Sequence, residues 1–128
     1  MKIHRIDHLV LTVKDIERTC AFYESVLGFE VATFGQGRKA LQFGRQKLNL
    51  HQQGKEFEPK AAVPTPGAID LCFVTDTPID KVRRELEENH VSIEQGPVER
   101  TGAVGRLLSI YLRDPDGNLI EIANYIPE

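Results

Sequence analysis

Long apolar runs are missing from this chain of 128 residues. Nothing approaches the roughly 18 to 20 consecutive apolar residues that a membrane-spanning helix needs. Cysteine is scarce as well. Cys20 and Cys72 are the only two, far apart and outside any paired metal-binding spacing, which excludes a disulfide framework and predicts two reduced, mostly buried thiols. Clustered basic charge is also absent. With 16 Lys and Arg against 19 Asp and Glu, a net charge of -3 and a pI of about 5.8, the chain has no electrostatic footprint for nucleic acid or an anionic membrane. Its start lacks the basic, apolar and small-residue order of a secretory signal, so a cytoplasmic location is expected. A composition 41% hydrophobic and 27% charged in one domain's length predicts a soluble globular protein that takes a small-molecule ligand.

The patterning divides the chain into two similar halves. A β-branched run predicts a strand over 6–13, followed by a helix with Asp15 as N-cap, Ile16, Cys20, Tyr23 and Leu27 at helical spacing, and Gly28 as its left-handed stop. Three short strands follow over 29–34, 38–43 and 47–51, set apart by the turn-forming GQG and GRQ. Module one thus covers about 4–54 in the order β-α-β-β-β. KEFEPKAAVPTPG, from about 55 to 67, is proline-bearing and without apolar period, and reads as a linker. Module two, about 68–126, repeats the order: strand 68–75, a helix opened by Thr77 and Pro78 and ending near Asn89, then strands near 91–94, over 107–113 and over 118–124, with Asp114 to Gly117 as the last hairpin turn.

Setting IDHLVLTVKD against IDLCFVTDTP, and KLNLHQ against GNLIEI, matches His8 with Asp70 and His51 with Glu121. Strand alternation sends Leu9, Leu11, Val13, Leu48 and Leu50 to the helix side. His8, Asn49 and His51 then share the helix-free face of module one, and Ser109, Tyr111, Arg113 and Glu121 that of module two. If the two faces curve toward each other, His8, His51, Asp70 and Glu121 converge in a cleft. Lone buried carboxylates are costly, and one divalent cation would satisfy all four side chains. Two imidazoles and a carboxylate suit Fe, Mn, Ni, Co or Zn. Asp70 is expected either as a further ligand or as the residue that orients a histidine.

DHLVLTVKDIERTCAFYESVLGFEV and RDPDGNLIEI resemble the vicinal oxygen chelate superfamily, which includes glyoxalase I, fosfomycin-resistance proteins, extradiol dioxygenases and bleomycin-resistance proteins. RKALQFGRQKLNLHQQGKEFEPKAA and GPVERTGAVGRLLSIYLRDPDGNLIEI are most similar to the glyoxalase-domain-containing protein 5 type. The resemblance implies an α+β fold of two tandem βαβββ modules forming a U-shaped metal-binding cleft. It implies a divalent metal on His8, His51 and Glu121, with Asp70 where glyoxalase I carries a His or Gln. It further implies a homodimer and a metal-dependent, glyoxalase-like lyase or isomerase, with an iron-dependent dioxygenase and a metal-free sequestering module as the other classes. Glu121 is the expected general base and Asp70 the alternative. Gln42, Asn49, Tyr111, Arg113 and Arg100 are the expected substrate-binding residues. The segment EQGPVERTGAVGRL is expected as a loop able to close over the cleft, bringing Arg100 or Arg106 to an anionic group.

Overall fold

The computed structural model describes residues 1–128, which divide into two compact units, Met1–Gly67 and Ala68–Glu128. In the first, β1 (His8–Val13), α1 (Ile16–Leu27), β2 (Glu30–Phe34), β3 (Arg38–Phe43) and β4 (Gln46–Gln52) form a four-stranded sheet of order β1-β4-β3-β2. The second repeats this with β5 (Asp70–Val74), α2 (Ile79–Glu88), β6 (Gln95–Thr101), β7 (Arg106–Arg113) and β8 (Leu119–Tyr125) in the order β5-β8-β7-β6. Each sheet is mixed, its first strand parallel to its last and the other pairs antiparallel. The expected fold class of tandem βαβββ modules is therefore the observed one.

Local chemistry sets the helix ends. Asp15, extended at φ -149°, accepts a hydrogen bond from the Arg18 N–H at 3.2 Å, and Gly28 ends α1 at φ 70°, a conformation that costs other residues more than glycine. Helix α1 buries Thr19 and Tyr23. Tyr23 begins an aromatic stack in which it lies 5.5 Å from Phe29, itself 4.7 Å from Phe43. Leu11, Val13, Leu41, Leu48 and Leu50 complete this core. In the second unit Ile79, Val82 and Leu86 make the buried stripe of α2, and Leu107, Ile110, Leu112, Ile120 and Ile122 supply the sheet side.

The two modules share a device that the sequence pattern does not reveal. Gln52, the last residue of β4, accepts the Ile16 N–H at 3.3 Å and donates to the carbonyl oxygens of Lys14 at 2.6 Å and Val13 at 3.4 Å. Asn124, near the end of β8, accepts the Ile79 N–H at 2.8 Å and donates to the carbonyls of Thr75 at 2.8 Å and Thr77 at 2.9 Å. In each module one amide thus satisfies an orphan N–H at the helix start and the carbonyls of the strand-to-helix turn.

The segment expected as a closing loop is largely strand. β6 pairs antiparallel with β7, while residues 91–94 carry no regular structure. Gly-Pro masked the alternation of half-buried Val98 and Arg100 with exposed Glu99 and Thr101, yet proline is tolerated on an edge strand. Gly96 lies at φ +109°, and a Cβ there would stand 2.4 Å from the Ser109 carbonyl oxygen, so the bulge between Gln95 and Val98 requires glycine.

Removing the shared amide tests its structural weight. Asn124→Ala is expected to lower the unfolding free energy by about 2 to 3 kcal/mol in a urea titration, since it strands one N–H and two carbonyls. Gln52→Ala should act in the same direction.

Candidate functional site

On the helix-free face of module one, β1 presents His8, Val10 and Thr12, and β4 presents Lys47, Asn49 and His51 beside them in the same order. His8 is exposed, with Nδ1 2.9 Å from Asp7 Oδ2. This contact holds the Asp7 carboxyl below the usual carboxylate range. When Nδ1–H donates to Asp7, the Nε2 lone pair is left for a metal, an orienting role that sequence reading did not assign to Asp7. His51 is 3% exposed, and its Nε2 has no hydrogen-bond partner. Burial, then the positive charge of Arg38, lowers its pKa and keeps the ring neutral.

The register corrects the match made between the modules. His51 stands beside Thr12, four residues beyond His8 on the paired strand, which is about 13 Å at a strand's rise per residue. Two imidazoles so far apart cannot share one ion within this module. Gln52 and Asn124 occupy equivalent places by their bonding, so counting back along β4 and β8 sets His51 against Ala123 and Asn49 against Glu121. The strand partners agree. His8 pairs with Lys47, and Asp70 with Leu119, two residues before Asn49 and Glu121 respectively. His8 and Asp70 are thus equivalent, as expected, whereas His51 and Glu121 are not.

In module two, Glu121 lies between Cys72 on β5 and Tyr111 on β7. Its Oε2 accepts the Ser109 hydroxyl at 2.6 Å. Tyr111 Oη accepts Arg100 Nε–H at 3.0 Å, with the guanidinium carbon 5.4 Å from the ring centroid. Burial raises the Tyr111 pKa, Arg100 opposes this, and Glu121 adds to it. Asp70 shares the face and is exposed, two residues before Cys72. Its diagonal position places it about 7 to 8 Å from Glu121 between backbones, within reach of a common ion. Cys72, expected as a buried apolar residue, is instead exposed on this face. Its thiol is pushed up to about 11, first by desolvation and then by Glu121 and Asp70.

Other expected contacts are otherwise engaged. Arg113 donates to both carboxylate oxygens of Glu94 at 2.9 and 3.0 Å and to the Gly117 carbonyl at 3.1 Å, bracing the hairpin. Arg106 donates to Glu99 at 3.3 Å. Gln42 is exposed between Glu30 and Lys47. Asn49 is 8% exposed, with Oδ1 unpartnered. No group of three or more His, Cys, Asp or Glu side chains is gathered in the chain to hold a metal.

Comparison with known proteins agrees with this architecture. Residues 5–122 match the model of the Glyoxalase/Bleomycin resistance protein/Dioxygenase superfamily. The chain belongs to that superfamily. It is 65% identical over 126 residues to Virulence protein STM3117 of Salmonella typhimurium, spanning 98% of this chain and 88% of that protein. The crystal structure of that protein superposes with a TM-score of 0.97 over 98% of this chain and 100% of its own. Glyoxalase domain-containing protein RDO1 of Mycosarcoma maydis is 56% identical over 98% of this chain and 70% of its own length. Among more distant members, Metallothiol transferase FosB of Lysinibacillus sphaericus is 27% identical over 94% of this chain and 82% of its own. The structure of lactoylglutathione lyase from Agrobacterium tumefaciens is 26% identical at a TM-score of 0.73, covering 97% of this chain and 96% of that one. The superfamily thus includes enzymes. No helix here is long and apolar enough to cross a membrane.

The raised thiol pKa gives a direct check of the module-two face. At pH 7.5 Cys72 should react with iodoacetamide roughly 100-fold more slowly than a free cysteine, because so little thiolate is present. Its rate, followed by peptide mass spectrometry, should still be climbing at pH 10, and Glu121→Gln should move that rise to lower pH. A plateau by pH 9 in the wild type contradicts the described environment.

Proposed function

We propose that this chain is a metal-dependent enzyme of the vicinal oxygen chelate type, a glyoxalase-like lyase or isomerase acting on a small carbonyl or thiol-adduct substrate. His8, Asp70 and Glu121 would hold a divalent ion, of Ni, Co, Mn, Fe or Zn. The carrying observation is the equivalence of His8 and Asp70 in their sheets, with Glu121 one diagonal step from Asp70. The donor chemistry fits: the His8 ring has one nitrogen on Asp7, and Glu121 has one oxygen on Ser109, leaving each a second donor atom. The names of FosB and of the lactoylglutathione lyase support a thiol-linked or metal-assisted reaction. His51, expected in the ligand set, is left out because of its offset along β4.

Lewis-acid polarisation of a substrate oxygen is the chemistry such an ion supplies. The protein's own groups do the rest. Ser109 fixes the Glu121 carboxylate. Asp70, exposed at the head of β5, would use the carboxylate oxygen not turned to the ion to take the proton from the substrate carbon and return it. Tyr111, kept protonated at neutral pH, presents its hydroxyl with Arg100 behind it, a donor pair for an oxyanion that develops during the reaction.

A homodimer is part of the same reading, the second copy covering apolar residues such as Val10, 42% exposed, and Val74, 55% exposed. Two free thiols suit a reducing cytoplasm.

Metal content per chain, measured by elemental mass spectrometry on protein purified without chelator or metal resin, tests the site. Near-stoichiometric metal is expected in the wild type and in His51→Ala, with a loss of at least tenfold in His8→Ala and Glu121→Ala. Metal that survives both of those substitutions, or disappears with His51→Ala alone, overturns the assignment. Iron accompanied by oxygen uptake on a catechol would move the activity to the dioxygenase class.

A further inference from the structure

His51 leaves an unexplained buried atom once it is removed from the metal set. The ring is 3% exposed with Nε2 unpartnered, and Asn49 Oδ1, two residues back on the same face, is unpartnered too. A buried ring nitrogen that can donate is costly to leave unpaired and marks a place where an acceptor bonds, whereas Asn49 Oδ1, an acceptor, calls for a donor. What surrounds them is cationic and aromatic. The Arg38 guanidinium carbon lies 4.3 Å from the centroid of the Phe57 ring and 5.4 Å from that of Phe34. Lys47 Nζ stands 4.1 Å from the Phe34 centroid. Phe57, from the segment expected as a linker, packs edge-on to His51 at 5.7 Å.

Neither Arg38 nor Lys47 has a carboxylate partner within ion-pair distance. The nearby acid Glu56 is taken by the Gly54 N–H at 2.7 Å, and Lys60 is paired with Glu58. The Arg38 guanidinium over the Phe57 face, beside a buried ring nitrogen able to donate, suits a compact anion next to a flat apolar body; Lys47 stands farther along β4, beside His8 and acting on Asp7.

We propose that this part of module one is a recognition site for the anionic end, a carboxylate or phosphonate, of a small unsaturated organic substrate. His51 Nε2–H and Arg38 bind the oxyanion, and Phe57 flanks the carbon skeleton. The proposal rests on the helix-free face being the substrate face in the function given above. It assigns that substrate a charged end about 13 Å along the strand from His8, remote from the reacting end.

The test uses the full chain stripped of metal, so that binding to an ion at His8 cannot contribute. Phenylphosphonate, benzoate, inorganic phosphate and benzyl alcohol are titrated by calorimetry into wild type, Arg38→Gln, His51→Gln and Glu85→Gln, the last an exposed position on α2, each checked for native circular dichroism. Phenylphosphonate or benzoate should bind the wild type and Glu85→Gln alike and weaken at least tenfold in Arg38→Gln and His51→Gln, with benzyl alcohol not binding. Arg38 is half-buried on β3 with no ion-pair partner to strand, so its variant keeps the test valid if His51→Gln fails to fold. Equal binding by all variants, no binding of either organic anion, or inorganic phosphate binding as tightly as the organic anions overturns the proposal. Metal content of the unstripped Arg38→Gln protein separates the two readings: metal retained with anion binding lost supports the anion site, whereas metal absent from wild type and variant alike removes the enzyme proposal on its own.

Discussion

The pairing of the first strand of each module with its last holds the rest of the structure in place. Parallel strands cannot be joined by a tight turn, so the register of β1 on β4 and of β5 on β8 needs other anchors. The terminal amides Gln52 and Asn124 provide them, each tying the last strand to the turn and helix that follow the first. Module two has a second anchor at the opposite end. Buried Asp114 accepts the backbone N–H groups of Asp116 and Asn118, both at 2.9 Å, and the Asn118 side chain at 2.8 Å, while Asn118 Oδ1 accepts the Ile69 N–H at 3.0 Å. Asp70 and Glu121 therefore begin from a strand pair held at both ends.

The same scaffold carries different chemistry in its two copies. In module two the polar groups of the helix-free face satisfy one another: Ser109 on Glu121, Arg100 on Tyr111, Arg113 on Glu94. In module one Asn49 Oδ1 and His51 Nε2 are buried without partners, and Arg38 and Lys47 lie against rings. A satisfied network is rigid and suits groups that must hold a fixed orientation, whereas unsatisfied atoms are poised for a ligand. In the function proposed above, that division sets the proton-handling groups on the module-two face and the anion-binding groups on the module-one face.

Much of the fold was legible because it depends on local rules. Asp15 and Gly28 bracket α1 as their capping chemistry predicts, β3 runs over the expected residues 38–43, and the apolar sides of β1, β4, β7 and β8 are the ones that alternation assigns. The reading failed where a local signal was broken. Gly96-Pro97 interrupted the period of β6, and the proline-rich stretch hid that Phe57 folds back onto His51. Arg113 looked available because nothing local marks Glu94 as its partner, 19 residues away.

By itself the sequence determined that there are two modules of the same order, which face of each strand is polar, and that His8 answers to Asp70. Only the tertiary structure decided which residue of β4 answers to Glu121. The reason is the strand's period: slipping the match by two residues leaves every side chain on its own face, so Asn49 and His51 satisfy the pattern equally. Hydrogen bonds reaching from Gln52 and Asn124 to the strand-to-helix turns of their modules break that degeneracy, and in doing so take His51 out of a shared centre with His8.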